Sequence, residues 1–425
     1  METFISPARN LWDELVKRPS SSNPEIASRV ASIIEKVEKG GDWAIRAIEE
    51  SISGSPFEGP FEVGEEEAAE AASKVAPSVK KAIAAAAANI RAFHKAQMPS
   101  PVDVTTATGV RCIQKPVPIS RVGLYIPGGT APLFSTVLML AIPAEIAGCR
   151  ERVLCTPAGP DGKVNPVVLY AAKYCGVGRV FRIGGAQAIA AMAFGTESVP
   201  AVDKIFGPGN QYVTTAKQLL GGRKVAIDMP AGPSEVMVIA DETAEPSFVA
   251  ADLLSQAEHG RDSQVMLVCH DASFASAVLE EVDRQVARLS REAFALDALS
   301  KSRAIVFRTD DEIVDFANLY APEHLIIQTS NPWKYADSIV SAGSVFVGKY
   351  TPESAGDYAS GTNHTLPTCG WGASYSGVNI DSYMRKMTIQ EITREGLWGL
   401  SRTIVTMAEA EGLEAHANAV KVRLK

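Results

Sequence analysis

The sequence predicts an α/β protein built on parallel sheets, and three observations carry that reading. From Val117 onward, short β-branched runs alternate with glycine turns and helical segments. Apolar residues make up 46% of the 425 and charged residues 21%, the balance of a soluble protein long enough for more than one core. The glycine turns fall where strands end, and the carboxyl ends of parallel strands are where such sheets collect ligands.

The elements follow in chain order. Residues 1 to about 20 read as a short helix, LWDELVKR, closed by the polar run Pro19-Ser20-Ser21-Ser22-Asn23-Pro24, which has linker composition. Ile26, Val30, Ile33, Ile34 and Val37 recur at helical spacing over Ile26 to Lys39, and the alanine-rich stretch Glu65 to Met98 predicts a long helix or helix pair. His94 on that stretch has no partner nearby in sequence and reads as an ordinary helix residue. The uncharged window Ala131 to Ala144 is broken by Pro132 and Pro143 and too short to span a membrane, so it reads as a buried helix.

Strands are predicted at Arg121–Ile126, Arg152–Thr156, Arg179–Ile183 and Lys204–Phe206, each followed by a turn and a helix. Met229-Pro230-Ala231-Gly232-Pro233-Ser234-Glu235 interrupts the pattern. A second α/β unit restarts at Val236–Ile239 and continues through strands at Gln264–Cys269, Ala304–Arg308, Leu325–Thr329 and Ser344–Val347. Residues 348 to 377 read as a long loop without regular structure, and loops of that length in a compact protein are commonly functional. Ser382 to Lys425 reads as largely helical, with a break at Gly412.

Several classes are excluded as expectations. A net charge of −8 with scattered Lys and Arg argues against a nucleic-acid or anionic-membrane partner. The N-terminus lacks the apolar run of a signal peptide, so a cytoplasmic location is expected. Six cysteines without a Cys-x-x-Cys predict neither a disulfide frame nor a thiolate metal site. No Gly-x-Gly-x-x-Gly follows a strand, so the usual dinucleotide fingerprint is missing, although glycine at a helix start still lets phosphate approach.

The chemistry gathers in four segments. Leu253 to Gly260, LLSQAEHG, sets Gln256 and His259 three apart at a helix end, where one face can aim both at a common point. The long loop brings Asp357 and His364, the tail Glu411 and His416, and a strand start Glu323 and His324. Four of the six histidines lie in these segments. Zinc accepts histidine nitrogen and aspartate oxygen readily and glutamine oxygen less usually, which makes His259, Asp357 and His416 candidate ligands with Gln256 beside them. His324 has the ordinary pKa for a general base near neutrality and Glu323 could orient it or activate water. Adjacent residues in an extended stretch face opposite ways, so both can act only if one lies in a turn.

With these segments quoted, the chain resembles the histidinol dehydrogenase family. The matching stretches are GLYIPGG (123–129), GGAQAIAA (184–191), FGPGNQYV (206–213), DMPAGPSEV (228–236), LLSQAEHG, APEHL and TPESAGDYASGTNH (351–364), the last with Thr351 in place of a serine. The resemblance implies zinc- and NAD-dependent oxidation of L-histidinol to L-histidine through the aldehyde, using two NAD and one Zn2+ per subunit, the end of histidine biosynthesis. It implies zinc ligands Gln256, His259, Asp357 and His416, an acid/base pair Glu323 and His324, further substrate contacts from Ser234, His364 and Glu411, and NAD contacts from Tyr125, Gln187 and Asn210. It also implies a homodimer whose tail reaches the partner's site. The implied fold has two Rossmann-like parallel-sheet domains with a helical N-terminal arm and C-terminal tail: an arm over 1–22, a first domain over 23–118 and 235–377, a second over 119–234, and a dimerisation tail over 378–425. Two rivals use the same residues, a zinc hydrolase with an open metal position and a non-catalytic binding protein on the same fold.

Overall fold

The computed structural model describes residues 1–18, 24–54, 56–128 and 132–425. The polar run expected as a linker falls largely outside them, as does Gly129 of the turn after the first strand of the glycine-rich unit. The strands are β1 (Glu2–Ile5), β2 (Val102–Ala107), β3 (Val110–Pro118), β4 (Arg121–Tyr125), β5 (Glu151–Cys155), β6 (Arg179–Phe181), β7 (Lys204–Phe206), β8 (Ala226–Ile227), β9 (Glu235–Ala240), β10 (Gln264–Cys269), β11 (Arg303–Val306), β12 (His324–Gln328), β13 (Ser344–Val347) and β14 (Met384–Ile392).

Two parallel sheets form the body, as the alternation of strand and helix requires. One has the order β6-β5-β4-β7-β8 and the other β1-β11-β10-β9-β12-β13, with every pairing parallel. Strands β9, β10 and β12 are buried along their whole length, which explains why their sequences run apolar without alternation. The window read as a buried helix is the helix Phe134–Ala147, apolar on all sides and packed on β4. All six cysteines are free, and among the described residues no helix is long and apolar enough to cross a membrane.

The structure differs from expectation in four places. The N-terminus opens with β1 alongside β11 before the short helix Trp12–Leu15, whose Trp12 ring lies edge-on to Phe307 and Phe316. The helices Pro24–Ser53, Glu65–Lys74 and Pro77–Lys95, expected to belong with 235–377, instead pack on the helices that flank the five-stranded sheet and join its cores. Their apolar stripes decide this: Val30, Ile34, Val37 and Ile45 share a core with Ile189 and Val213, and Ile83, Ala87 and Ile90 share one with Val137 and Ile142. Each large side chain so buried contributes about 1.5–3 kcal/mol.

Residues 384–392, expected as helix, are β14, paired antiparallel with β3, which pairs in turn with β2. Both faces of β14 are largely exposed, so its sequence has no alternation to betray it, and its hydrogen bonds come from a strand far away in the chain. The long loop contains a helix, Glu353–Tyr358, and a short 3-10 turn at Trp371–Ala373.

The short link 228–234 runs from the carboxyl end of β8 to the amino end of β9. It therefore sets the carboxyl edge of the five-stranded sheet against the amino edge of the six-stranded one. The link is held by the buried pair Lys217–Asp228 at 2.5 Å and by the Gly207 N–H, which donates to Asp228 Oδ2 at 2.8 Å.

Candidate active site

A cavity of about 400 Å³ lies where those two edges meet. The carboxyl edge contributes Pro127 after β4 and the turn Pro208–Gln211 after β7. The amino edge contributes Ser234 before β9, the turn Gly260–Ser263 before β10, and Glu323 and His324 at the start of β12. Gln256, His259, Asp357 and His364 complete the wall. The ligand-facing carboxyl ends anticipated from the sequence thus hold for one sheet; the other uses its amino ends.

The helix Pro246–Ala257 begins with proline in its first turn and carries Gln256 near its end, with His259 just beyond. Gln256 is buried, its Nε2 donates to Glu323 Oε2 at 3.2 Å, and its Oε1 has no hydrogen-bond partner. His259 is exposed toward the cavity. One ligand atom each of His259, Glu353 and Asp357 lie within 4.8 Å of one another, a spacing that suits a metal ion. Glu353 was missed in the sequence, where it falls in the stretch read as a loop. Its i,i+4 relation to Asp357 on a short helix is the signal that could have found it.

Glu323 and His324 both reach the cavity because the chain turns just before β12. Ala321 has φ +49°, a left-handed conformation, and Gly343 packs so closely that a Cβ there would lie 2.5 Å from the Glu323 carbonyl oxygen. Glu323 Oε2 consequently lies 3.6 Å from His324 Nδ1 instead of on the opposite face. The same oxygen accepts the Glu235 N–H at 2.9 Å.

His324 Nδ1 is 3.2 Å from the Glu235 carbonyl oxygen, an acceptor only, and 3.4 Å from Gln256 Nε2, a donor; the shorter contact, with Glu323 Oε2 3.6 Å away, assigns the proton to Nδ1 and leaves Nε2 the free base in the neutral ring. His324 Nε2 is buried without a hydrogen-bond partner and 3.7 Å from Asp357 Oδ1. Burial pushes the Glu323 carboxyl up to about 8, against the pull of His324. Burial also works against a charged His324, but Glu353, Glu323 and Asp357 outweigh it and push the ring up to about 10. His364 Nδ1 donates to the Asp357 carbonyl oxygen at 3.0 Å, its Nε2 lies 3.2 Å from Thr136 Oγ1, and burial lowers its pKa.

The remaining candidates are placed less centrally. Asn210 lines the cavity, with its Oδ1 capping the helix Gln211–Leu220 through the Tyr212 and Val213 N–H groups. Tyr125 and Gln187 are buried at the same sheet edge and do not line the cavity. Tyr125 Oη accepts the Gly185 N–H at 3.0 Å, and Gln187 Nε2 donates to Glu49 Oε1 at 2.9 Å. Glu411 and His416 are exposed on the tail, at the end of the helix Arg394–Ala410 and in the helix Glu414–Lys421, and this chain does not bring them to its own cavity.

A two-sheet α/β fold with a buried Glu–His pair beside a candidate cation cluster, opening toward a glycine turn at a helix start, is the architecture of an enzyme site suited to proton transfer. The histidinol dehydrogenase family model matches residues 16–424. A histidinol dehydrogenase of Bacteroides thetaiotaomicron is 53% identical over 424 residues, covering 100% of this chain and 99% of that protein. That of Escherichia coli K12 is 53% identical over 414 residues, covering 97% and 94%. A crystal structure of histidinol dehydrogenase from Elizabethkingia anophelis superposes with a TM-score of 0.96 at 48% identity, covering 100% of this chain and 98% of that one. The chain belongs to the histidinol dehydrogenase family.

Proposed function

We infer that this protein oxidises L-histidinol to L-histidine through L-histidinal, with NAD as oxidant and a zinc ion in the site, as the last steps of histidine biosynthesis. The observation that carries the reading is the buried pair Glu323–His324 set against the cluster His259, Glu353 and Asp357 in one cavity.

The donor set fits a divalent cation. Gln256 Oε1 is a buried oxygen with no partner, a costly state that coordination would relieve. Gln256, His259 and Asp357 would hold the ion, with His416 delivered from a second copy, since the tail of this chain leaves it in solvent. Bound there, zinc would hold the amino and imidazole nitrogens of the substrate and offset the acidic cluster that keeps His324 charged. NAD would accept hydride; the cavity runs from the acid/base pair to the turn Pro208–Asn210 at a helix start, a place suited to a dinucleotide.

The protein's own residues supply the proton chemistry. His324 Nε2 accepts the hydroxyl proton while Nδ1–H stays on the Glu235 carbonyl. Glu323, with His324, takes the proton of the water that adds to the aldehyde carbon. Ser234 and His364 position the substrate from either wall, and Glu411 joins them with the second copy's tail. The shared pocket keeps the reacting groups in one geometry.

The test is turnover. Purified protein given L-histidinol and NAD should raise NADH absorbance and yield histidine. A zinc-loaded sample that forms no NADH overturns the reading and favours a hydrolase or a binding protein.

A further inference from the structure

Glu235 is the backbone partner of both members of the acid/base pair: its N–H donates to Glu323 Oε2 at 2.9 Å and its carbonyl accepts from His324 Nδ1 at 3.2 Å. Its side chain points the other way, away from the cavity, and is 1% exposed. There the guanidinium of Arg18, from the N-terminal segment, holds it: Nη2 lies 2.9 Å from Oε2 and Nε 3.3 Å from Oε1. The Cys369 N–H donates to the same carboxylate. Arg18 is itself fixed, donating to the Tyr320 carbonyl through Nη2 and stacking 3.7 Å above the Tyr320 ring. The Tyr320 hydroxyl donates to Gln264 Oε1 at 2.9 Å, and Gln264 Nε2 donates back to the Lys17 carbonyl at 3.3 Å.

This is a closed set of contacts joining the N-terminal segment to the first residue of β9. A carboxylate buried to that degree needs a partner, yet a hydrophobic residue would fill the space at less cost. What the ion pair gives that a hydrophobic side chain would not is a fixed orientation of the Glu235 peptide groups. A planar fork gripping both carboxylate oxygens fixes the side chain, and through it the backbone that aims Glu323 and selects the His324 tautomer.

We propose that Arg18 and Glu235 form a positioning pair for the catalytic residues, acting from behind the sheet without touching substrate. The proposal rests on the assignment of Glu323 and His324 as the acid/base pair. Outer partners that orient metal ligands are worth roughly 10- to 100-fold in affinity or activity, and a loss of that order is expected for a pair that orients acid/base residues.

The test compares Arg18→Lys, Arg18→Gln, Glu323→Gln and the double variant Arg18→Lys/Glu323→Gln as zinc-loaded protein. Arg18→Lys keeps the charge and loses the fork, so it should fold with its zinc content and KM for histidinol near the parent's, and lose roughly tenfold in kcat. Arg18→Gln should lose more, which makes lysine a partial rescue. If Arg18→Gln does not fold, Arg18→Lys alone decides. In the double variant the loss should be smaller than the product of the two single losses, because Arg18 acts through Glu323. A parental kcat in Arg18→Lys, or losses that multiply in full, overturns the positioning role. A parental kcat in Glu323→Gln would instead overturn the acid/base assignment beneath it.

Discussion

Replacing Glu323 by glutamine separates chemistry from architecture. The amide has nearly the shape of the carboxylate, and its oxygen can still accept the Glu235 N–H and the Gln256 Nε2–H that now reach Oε2 at 2.9 and 3.2 Å. The buried hydrogen bonds survive, and a carboxyl whose pKa burial has pushed up to about 8 is removed, so thermal stability should hold or rise. What is lost is the proton acceptor. General acid–base catalysis is worth about 10²–10⁴ in rate, or ~3–5 kcal/mol of barrier. On the proposed role of Glu323 in adding water to the aldehyde, the loss should be larger with L-histidinal as substrate than with L-histidinol. NADH formation from each, with zinc content and Tm measured on the same sample, reads this out. A folded, zinc-loaded Glu323→Gln enzyme that oxidises histidinal at the parental rate would refute the assignment.

Three further perturbations have defined outcomes. His416→Ala should lose both zinc and activity, although His416 is exposed in this chain and not part of its own cavity wall; full zinc occupancy by metal analysis would remove it from the ligand set. Glu353→Gln should weaken zinc binding and lower the pKa of His324, since Glu353 is the largest of the charges raising it; a chelator titration matching the parent's would exclude Glu353 from the site. Asp252 is buried, and burial pushes its carboxyl up to about 7 despite the bond from Gln328 Nε2 at 2.6 Å. A folded pKa above the unfolded one means this group's contribution to stability is complete below about pH 4 and is lost as pH rises through about 7. Asp252→Asn should therefore be more stable relative to the parent at pH 8 than at pH 5, by a few kcal/mol on an order-of-magnitude scale; denaturant midpoints that move in parallel at both values would contradict it.

How much of this was legible in the sequence depended on the range of the interactions involved. Gln256 and His259 could be paired because helical spacing is local, and β7, β10 and β13 because short apolar runs between turns admit few other readings. The shared direction of Glu323 and His324 was not legible, since it depends on a left-handed alanine and on the close approach of Gly343 from a later segment. Glu353 was hidden in a stretch read as loop. The β2-β3-β14 sheet escaped because β14 lies between exposed faces and finds its partner across most of the chain. Arg18 and Glu235 had no local signal at all, being two ordinary charges brought together by the fold. The packing of residues 24–95 on the helices that flank the five-stranded sheet is likewise a choice between two apolar surfaces that helix periodicity cannot make.

The central claim is that oxidation takes place at a cation gripped by Gln256, His259 and Asp357 beside Glu323 and His324. The most direct measurement titrates zinc into chelated protein and follows NADH formation from L-histidinol on the same sample. Activity should be absent without metal, rise in proportion to bound zinc, and saturate at one ion per chain. Undiminished turnover in metal-free protein would contradict the account.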